Sequence, residues 1–370
     1  MYTLMRGDMA EDVELLGNVN ETENRATPLL AICIPTHNRR EVLEECLASI
    51  LPQADVLGVG VCVSDNGSSD GTWPALEALK RQYPWMQIMR HTRDIGYRDN
   101  LTGVVLSSHA QYVWPIGDKL VLLPGALEFV VAELVRQHPD AVVVNGWIHL
   151  VVSNGESVSN GETIYSTPQS CLTELGWWTT LTGATVLPRQ AFVDALHVQH
   201  LSREFSHVVA LFSYLASLRA PRVLFSGRVL IQLGKSAREN HIEVATSWAG
   251  HRLETSGRNW YDAVMSLPAL YSTKDKLQAV RSHSLLMGNF CFVNLLRLRA
   301  EGQLSLQRLK ADQVPLRAAI SAPWWSAVII SVVPRWMLRS LLWVHPRRML
   351  RAMRSRLGLL RGQQAHGSVQ

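Results

Sequence analysis

The sequence predicts an α/β fold in which helices cover both faces of a largely parallel sheet. Three observations carry this: uncharged apolar runs of strand length, amphipathic stretches alternating with them, and polar turns after the runs.

The first run is LLAICIP from Leu29, and NRREVLEECLASIL after it spaces its apolar residues for one helical face. VLGVGVCVS is the second strand, followed by a helix over Thr72 to Gln82. WMQIMR is the third, followed by a helix around Asp99 to Ser108. YVWPI and the helix in LPGALEFVVAELVRQ come next, and AVVVNGWIHLV adds another strand. Residues 151–170 are rich in Ser, Asn and Gly, the composition of a surface loop or hairpin insertion. Helical patterns then dominate, over Glu204 to Leu218 and over Lys274 to Ala300. Four regions are expected: a flexible acidic leader (1–28), a ligand-binding α/β domain (29–235), a helical region (236–321) and a Trp/Arg-rich segment (322–370).

With 370 residues, 47% of them hydrophobic, the chain can bury a large core. Its formal charge of +5 is uneven: residues 1–28 hold six acids and two bases, and residues 315–370 hold nine arginines and no acid. The basic character thus belongs to one end, which argues against a general nucleic-acid-binding role. Five cysteines without a Cys-x-x-Cys pair suggest neither a zinc site nor a disulfide framework. The N-terminus lacks the basic start and apolar run of a secretory signal.

In such sheets ligands sit beyond the carboxyl ends of the strands, which places PTHNR, SDNGSSDGT and GDKL on one rim. The glycines of a dinucleotide fingerprint are missing from the first turn, and no Walker-type Gly-Lys-Ser/Thr loop is present. Instead the first two strand ends offer Thr36 and Asn38, then Asp65 and Asn66. Asp70 reads as a helix cap; Asp65 can close an Asx turn or accept from a base N–H or ribose hydroxyl.

ICIPTHNR, VSDNGSSDGT, the Asp94-x-Gly96 and Asn100 pair in RDIGYRDN, and the frame YVWPIGDxxxLLPGAL follow one another between Leu30 and Val135. This ordered set resembles family 2 glycosyltransferases, most of all bacterial O-antigen and capsule transferases of the abequosyltransferase-like type. The resemblance implies a GT-A-like mixed, mostly parallel sheet followed by a helical C-terminal region. It also implies a nucleotide-diphosphate sugar donor: Pro35, Thr36, Asn38, Asp65 and Asn66 would line the nucleotide pocket, Arg93, Asp94 and Asn100 would close over base and ribose, and Asp118 and Lys119 would face the diphosphate.

Members of that family usually carry a run of aspartates at the last position, holding a divalent cation such as Mg²⁺ or Mn²⁺ against the diphosphate. Here only Asp118 remains as a metal ligand, because Lys119 repels a cation and Leu120 has no ligand atom. Three readings stand open. Lys119 neutralises the diphosphate, helped by Lys235 or Arg238 of QLGKSAREN; Asp118 and solvent still hold an ion; or transfer is lost and the chain is a non-catalytic nucleotide- or glycan-binding subunit.

Inverting transfer needs a base for the acceptor hydroxyl. In SREFSHVVALFSYL, Glu204 and His207 are three apart and would share a face at a helix start, with Glu204 as base and His207 orienting it or touching the diphosphate. Complementing a helix terminus is the plainer role for Glu204, and Glu174 and Asp194 are lesser candidates.

APWWSAVIISVVPRWMLRSLLWV is interrupted by Pro334, Arg335 and Arg339 before it reaches the ~20 apolar residues of a spanning helix. Beyond Pro346, Met349, Leu350, Met353, Leu357 and Leu360 fall on one helical face with most arginines opposite. With Trp324, Trp325, Trp336 and Trp343 upstream, this suits the headgroup layer of an anionic membrane; packing on the catalytic domain is the alternative. The expectation is a transferase peripheral on the cytoplasmic face of the cell membrane, adding one sugar to a lipid-linked oligosaccharide.

Overall fold

A computed structural model describes residues 13–16, 27–146, 161–195, 204–239 and 251–344. Its strands are β1 (Val13–Leu16), β2 (Leu30–Thr36), β3 (Gly60–Asp65), β4 (Gln87–His91), β5 (Tyr112–Pro115), β6 (Leu120–Leu122), β7 (Ala141–Asn145), β8 (Glu162–Tyr165), β9 (Thr185–Pro188), β10 (Val223–Val229) and β11 (Ile231–Leu233). Nine of them form one sheet in the order β1-β4-β3-β2-β5-β9-β7-β10-β8, and β11 pairs with β6 beside it. Neighbours within β4-β3-β2-β5 are parallel, as are β7 and β10, while β1, β9 and β8 pair antiparallel to their neighbours. The mostly parallel α/β architecture read from the sequence is therefore present.

Helices α1 (Arg40–Leu57), α2 (Thr72–Gln82), α3 (Tyr97–Ser107) and α4 (Ala126–Gln137) alternate with the first strands. Along α1, Val42, Leu43, Cys46, Leu47, Ile50, Leu51 and Ala54 bury one stripe, which is why the helix forms where its apolar spacing is 3.6. It runs on through Pro52 to a left-handed Gly58, so Val56 and Leu57, expected in the next strand, are helical. The proline forfeits one backbone hydrogen bond, and burial of Leu51 and Ala54 on either side carries the helix past it.

Then come α5 (Arg189–Ala195), α6 (Ser206–Ser217) and the one-turn α7 (Lys235–Glu239). The helical region holds a π-helical stretch at Leu253–Asn259, then α8 (Trp260–Met265), α9 (Thr273–Met287), α10 (Phe292–Glu301), α11 (Leu306–Ala311), α12 (Gln313–Ala319), α13 (Trp324–Val332) and α14 (Arg335–Val344).

Several expectations change. The acidic leader, read as lacking regular structure, supplies β1 at the sheet edge, where pairing with β4 satisfies otherwise open strand groups. The helical pattern over Lys274 to Ala300 is two helices, because Gly288 takes a left-handed φ of 63° and caps α9. Asn294 then donates its side-chain amide to the Gly288 carbonyl at the start of α10. Glu204 lies ahead of α6, which begins only at Ser206. Part of the 151–170 insertion forms β8, antiparallel to β10. The amphipathic stretch beyond Pro346 lies outside the described residues.

The turn after β3 depends on Gly67. Its φ is +71°, and a Cβ there would sit 2.8 Å from the Arg93 backbone carbon. Gly67→Ala should cost about 1–3 kcal/mol, and Gly67→Asn, which tolerates a positive φ, should not rescue it, because the clash is with main chain. Thermal unfolding of both variants checks this; a full rescue by Asn would show that the dihedral alone matters.

Candidate functional site

From β2 the chain steps outward one way to β3 and β4, and the other way to β5, so the strand order reverses between β2 and β5. Crevices at such reversals, beyond the carboxyl ends, are where open α/β sheets bind ligands. Here the crevice has a chemical cause. The β2–β5 register ends at Cys33 opposite Pro115, after which β2 continues with β3 alone as far as Thr36 and Asp65. The two chains then part, and Asp118 reaches back across the gap.

Asp118 is 3% exposed. Its Oδ2 accepts from the Thr36 hydroxyl at 3.0 Å and its Oδ1 from the Arg39 guanidinium at 3.0 Å. Arg39 is the residue that caps α1 at its N-terminus, where the helix dipole disfavours a cation, so its place there needs this carboxylate. Lys119 follows directly; burial and the Arg39 charge pull its ammonium below the usual lysine range, against the pull of Asp118. Leu120 is buried, starts β6 and pairs with Leu233 of β11. The residue that breaks the expected aspartate run is thus a core side chain.

That pairing brings a second basic segment alongside. Gly234 donates its N–H to the Lys119 carbonyl at 2.9 Å, and Lys235 and Arg238 follow on α7. Glu45 accepts the N–H groups of Lys235 and Ser236, both at 2.7 Å. Burial pushes Glu45 up, but these two donors outweigh it and hold the carboxyl below the usual range.

The remaining rim residues mostly bind one another. Pro35 is buried in β2 opposite Ser64. Asn38, at a left-handed φ of 50°, accepts from the Ser69 N–H and donates its own N–H to Ser68 Oγ. His37 Nδ1 donates to the Asn66 carbonyl at 2.7 Å. Asp65 is fully buried, accepting from the Ser68 N–H at 3.1 Å and lying 3.5 Å from the Arg90 guanidinium. Asn66 fastens the next loop, donating to Asp94 and accepting from the Ile95 N–H. Asn100 donates to the carbonyls of Thr36 and Ser64 and so ties β2 to β3. Arg93 lies exposed beside the Gly67 turn. Asp70 accepts from Thr72 and from the Arg40 N–H, touching the start of two helices.

Over this floor, the Tyr97 hydroxyl meets Thr182 Oγ1 at 2.6 Å. Tyr97 is partly open to solvent, and burial pushes its hydroxyl up to about 12. Thr182 belongs to a segment braced from behind: His207, buried on α6, donates Nε2–H to the Thr179 carbonyl at 3.0 Å. Glu204 instead accepts from Asn259 at 2.7 Å, so Glu204 and His207 diverge. Asn259 ends the π-helical stretch whose start, Leu253 and Glu254, lines a polar groove of about 600 Å³ with Gln303, Gln307 and Arg308. Glu174 is exposed near Tyr165, and Asp194 pairs with Gln190 on α5. That helix begins after Pro188, opposite Tyr112, at the far end of the sheet from the rim.

The donor set does not suit a divalent ion. Each oxygen of Asp118 already accepts a hydrogen bond, one of them from a cation, and among the described residues no three His, Cys, Asp or Glu side chains gather to hold a metal. A dication ~5 Å from a fixed cation such as Arg39 or Lys119 would be opposed by roughly 6 kcal/mol for each at an effective dielectric near 20. Thr36, Tyr97, Arg39 and Lys119 suit an anionic ligand instead. Arg39 was not among the residues singled out from the sequence; the signal for it was an arginine at a helix start, where acids are favoured.

Residues 31–189 match the family described as Glycosyl transferase family 2. Abequosyltransferase RfbV of Salmonella typhimurium is 35% identical over 101 residues, 27% of this chain and 30% of that protein. The chain thus aligns with less than a third of that relative's length. Among solved structures, S. aureus TarS 1-349 in complex with UDP-GlcNAc superposes with a TM-score of 0.52 at 14% identity, over 79% of this chain and 83% of that one. That likeness shows a GT-A-like fold. Mannosyltransferase PcManGT from Pyrobaculum calidifontis, in complex with GDP-Man and Mn²⁺, gives a TM-score of 0.48 at 15% identity, over 87% and 89% of the two chains.

Burial pushes His207 down to about 4, and does the same to His283 beside Trp260. Unfolded imidazoles take up a proton near pH ~6.5, so the stabilisation is complete above that pH and is lost as pH falls towards about 4, by roughly 3 kcal/mol for each residue. The unfolding midpoint should fall across this window. His283→Phe should remove part of the slope, and an unchanged slope would show that His283 is protonated in the folded chain.

Proposed function

Residues 31–189 belong to glycosyl transferase family 2, and on that footing we propose that the chain transfers one sugar from a nucleotide-diphosphate donor to a lipid-linked oligosaccharide. The observation that carries this is the crevice between β2 and β5, whose floor gathers Thr36, Arg39, Asp118 and Lys119 inside the matched segment. The nucleotide lies over the ends of β2 and β3, and the loop from Arg93 to Asn100 closes on it. The likeness to an abequosyltransferase supports a deoxyhexose as the sugar.

Transfer is a direct displacement with inversion. The acceptor oxygen bonds to the anomeric carbon, the bond from that carbon to the phosphate oxygen breaks, and the nucleoside diphosphate leaves with the electron pair. Glu204, oriented by Asn259, takes the acceptor proton. His207 braces the Thr179–Thr182 segment that meets Tyr97. The polar groove past Glu254 supplies charged and amide groups suited to acceptor sugar hydroxyls.

The acceptor's lipid would be met at a membrane surface. No helix of the described residues is long and apolar enough to cross a membrane. On α13, however, Trp325, Ile329 and Val332 share one exposed face, and on α14 Trp336 and Met337 are exposed. The C-terminal arginines supply charge for anionic headgroups, giving a peripheral protein on the cytoplasmic face of the cell membrane.

Glu204→Gln should lower kcat for sugar transfer by about 10²–10⁴-fold with the donor KM nearly unchanged. An unchanged kcat would remove Glu204 as base, and donor binding with no transfer by the unaltered chain would favour the non-catalytic binding subunit. The full chain should co-sediment with vesicles containing phosphatidylglycerol more than with pure phosphatidylcholine. Trp325→Ala with Trp336→Ala should weaken this about tenfold; equal sedimentation of the variant would place the contact elsewhere.

A further inference from the structure

We infer that this chain holds the donor's diphosphate with a pair of fixed cations, Arg39 and Lys119, in the place a divalent ion would take, and that Asp118 is a positioning residue for Arg39. The inference rests on the nucleotide-sugar reading above and concerns how that donor's charge is met.

The geometry ties Asp118 to Arg39. Its carboxylate sits buried between the Thr36 hydroxyl and the Arg39 guanidinium, each at 3.0 Å. A metal on either oxygen would share it with one of these hydrogen bonds and stand close to the Arg39 charge, which opposes it. Holding Arg39, by contrast, keeps that guanidinium at the mouth of the crevice, with about a third of its side chain open to solvent. A guanidinium offers paired N–H donors that match phosphate oxygens, and an ammonium adds a compact charge.

The local charge balance points the same way. Two cations face a single carboxylate on the floor, and burial, together with the Arg39 charge, makes the Lys119 ammonium costly to keep charged. A diphosphate arriving there relieves the repulsion and replaces lost solvation in one step. The turn that carries Lys119 is fixed by the Gly234 N–H on its carbonyl and by the β6–β11 pairing. Lys235 and Arg238 stand just beyond, adding positive potential along the approach, while the nearest acid on that side, Glu45, is engaged by backbone N–H groups. In the displacement step the leaving diphosphate gains negative charge as the glycosidic bond breaks, and fixed cations already in place need no reorganisation to meet it.

Calorimetric titration of the full chain with UDP, GDP, CDP and dTDP, each in EDTA and again in millimolar Mn²⁺, tests this. At least one nucleoside diphosphate should bind in EDTA, with a Kd within about threefold of its value in Mn²⁺. Arg39→Ala and Lys119→Ala should each weaken that diphosphate by about 10–100-fold while leaving the matching nucleoside almost unaffected, which reports an intact pocket. Asp118→Asn should likewise weaken the diphosphate and spare the nucleoside, with no recovery on adding Mn²⁺, and Arg39→Lys should retain part of the affinity that Arg39→Ala loses. Binding that requires Mn²⁺, or diphosphate affinity indifferent to Arg39→Ala, would overturn the inference and leave the donor reading standing. No binding of any nucleotide in either condition would overturn both.

Discussion

The carboxylate of Asp118 joins the two chains that part at the centre of the sheet. Prolines mark the parting, Pro35 in β2 and Pro115 ending β5, and the last backbone bond between the two chains runs from the Ile116 N–H to the Cys33 carbonyl at 2.9 Å. Two side-chain hydrogen bonds to Asp118 follow it, one from the residue that ends β2 and one from the residue that opens α1. The crevice floor carries two cations, Arg39 and Lys119, around that one acid. Lys119, the β6–β11 ladder and the basic α7 all follow from where that turn is pinned.

Much of the rim was legible in the sequence because its signals are local. Apolar runs bounded by PTHNR, SDNGSSDGT and GDKL fix strand ends by composition alone, and the ordered set carries the family resemblance. What escaped depends on pairing between distant residues. The ion pair of Arg39 with Asp118 spans 79 positions, and β6 with β11 joins segments over a hundred residues apart. Leu120 reads as a lost ligand until β6 shows it as a core residue. Asp65 and Asn100 read as ligand contacts, and the fold adds distant partners that the sequence does not show: Asp65, which accepts from the nearby Ser68 N–H, faces Arg90, and Asn100 donates to the ends of β2 and β3.

The second half shows the same limit. Apolar spacing marks Lys274 to Ala300 as helical but cannot place the break that Gly288 makes. Glu204 and His207, three apart, look like partners on one helical face; because the helix begins after Glu204, one turns to Asn259 and the other to Thr179. Glu204 is held against the π-helical stretch, and His207 stands behind the segment that meets Tyr97. The tryptophans of α13 and α14 were visible as composition, and the fold adds that Trp325 and Trp336 are exposed.

The most direct test of the central claim is turnover of a nucleotide-sugar panel by the purified chain, measured with EDTA and with Mn²⁺ side by side. A floor built on Arg39, Asp118 and Lys119 predicts sugar transfer at the same rate in both. Transfer that appears only with the metal would contradict it.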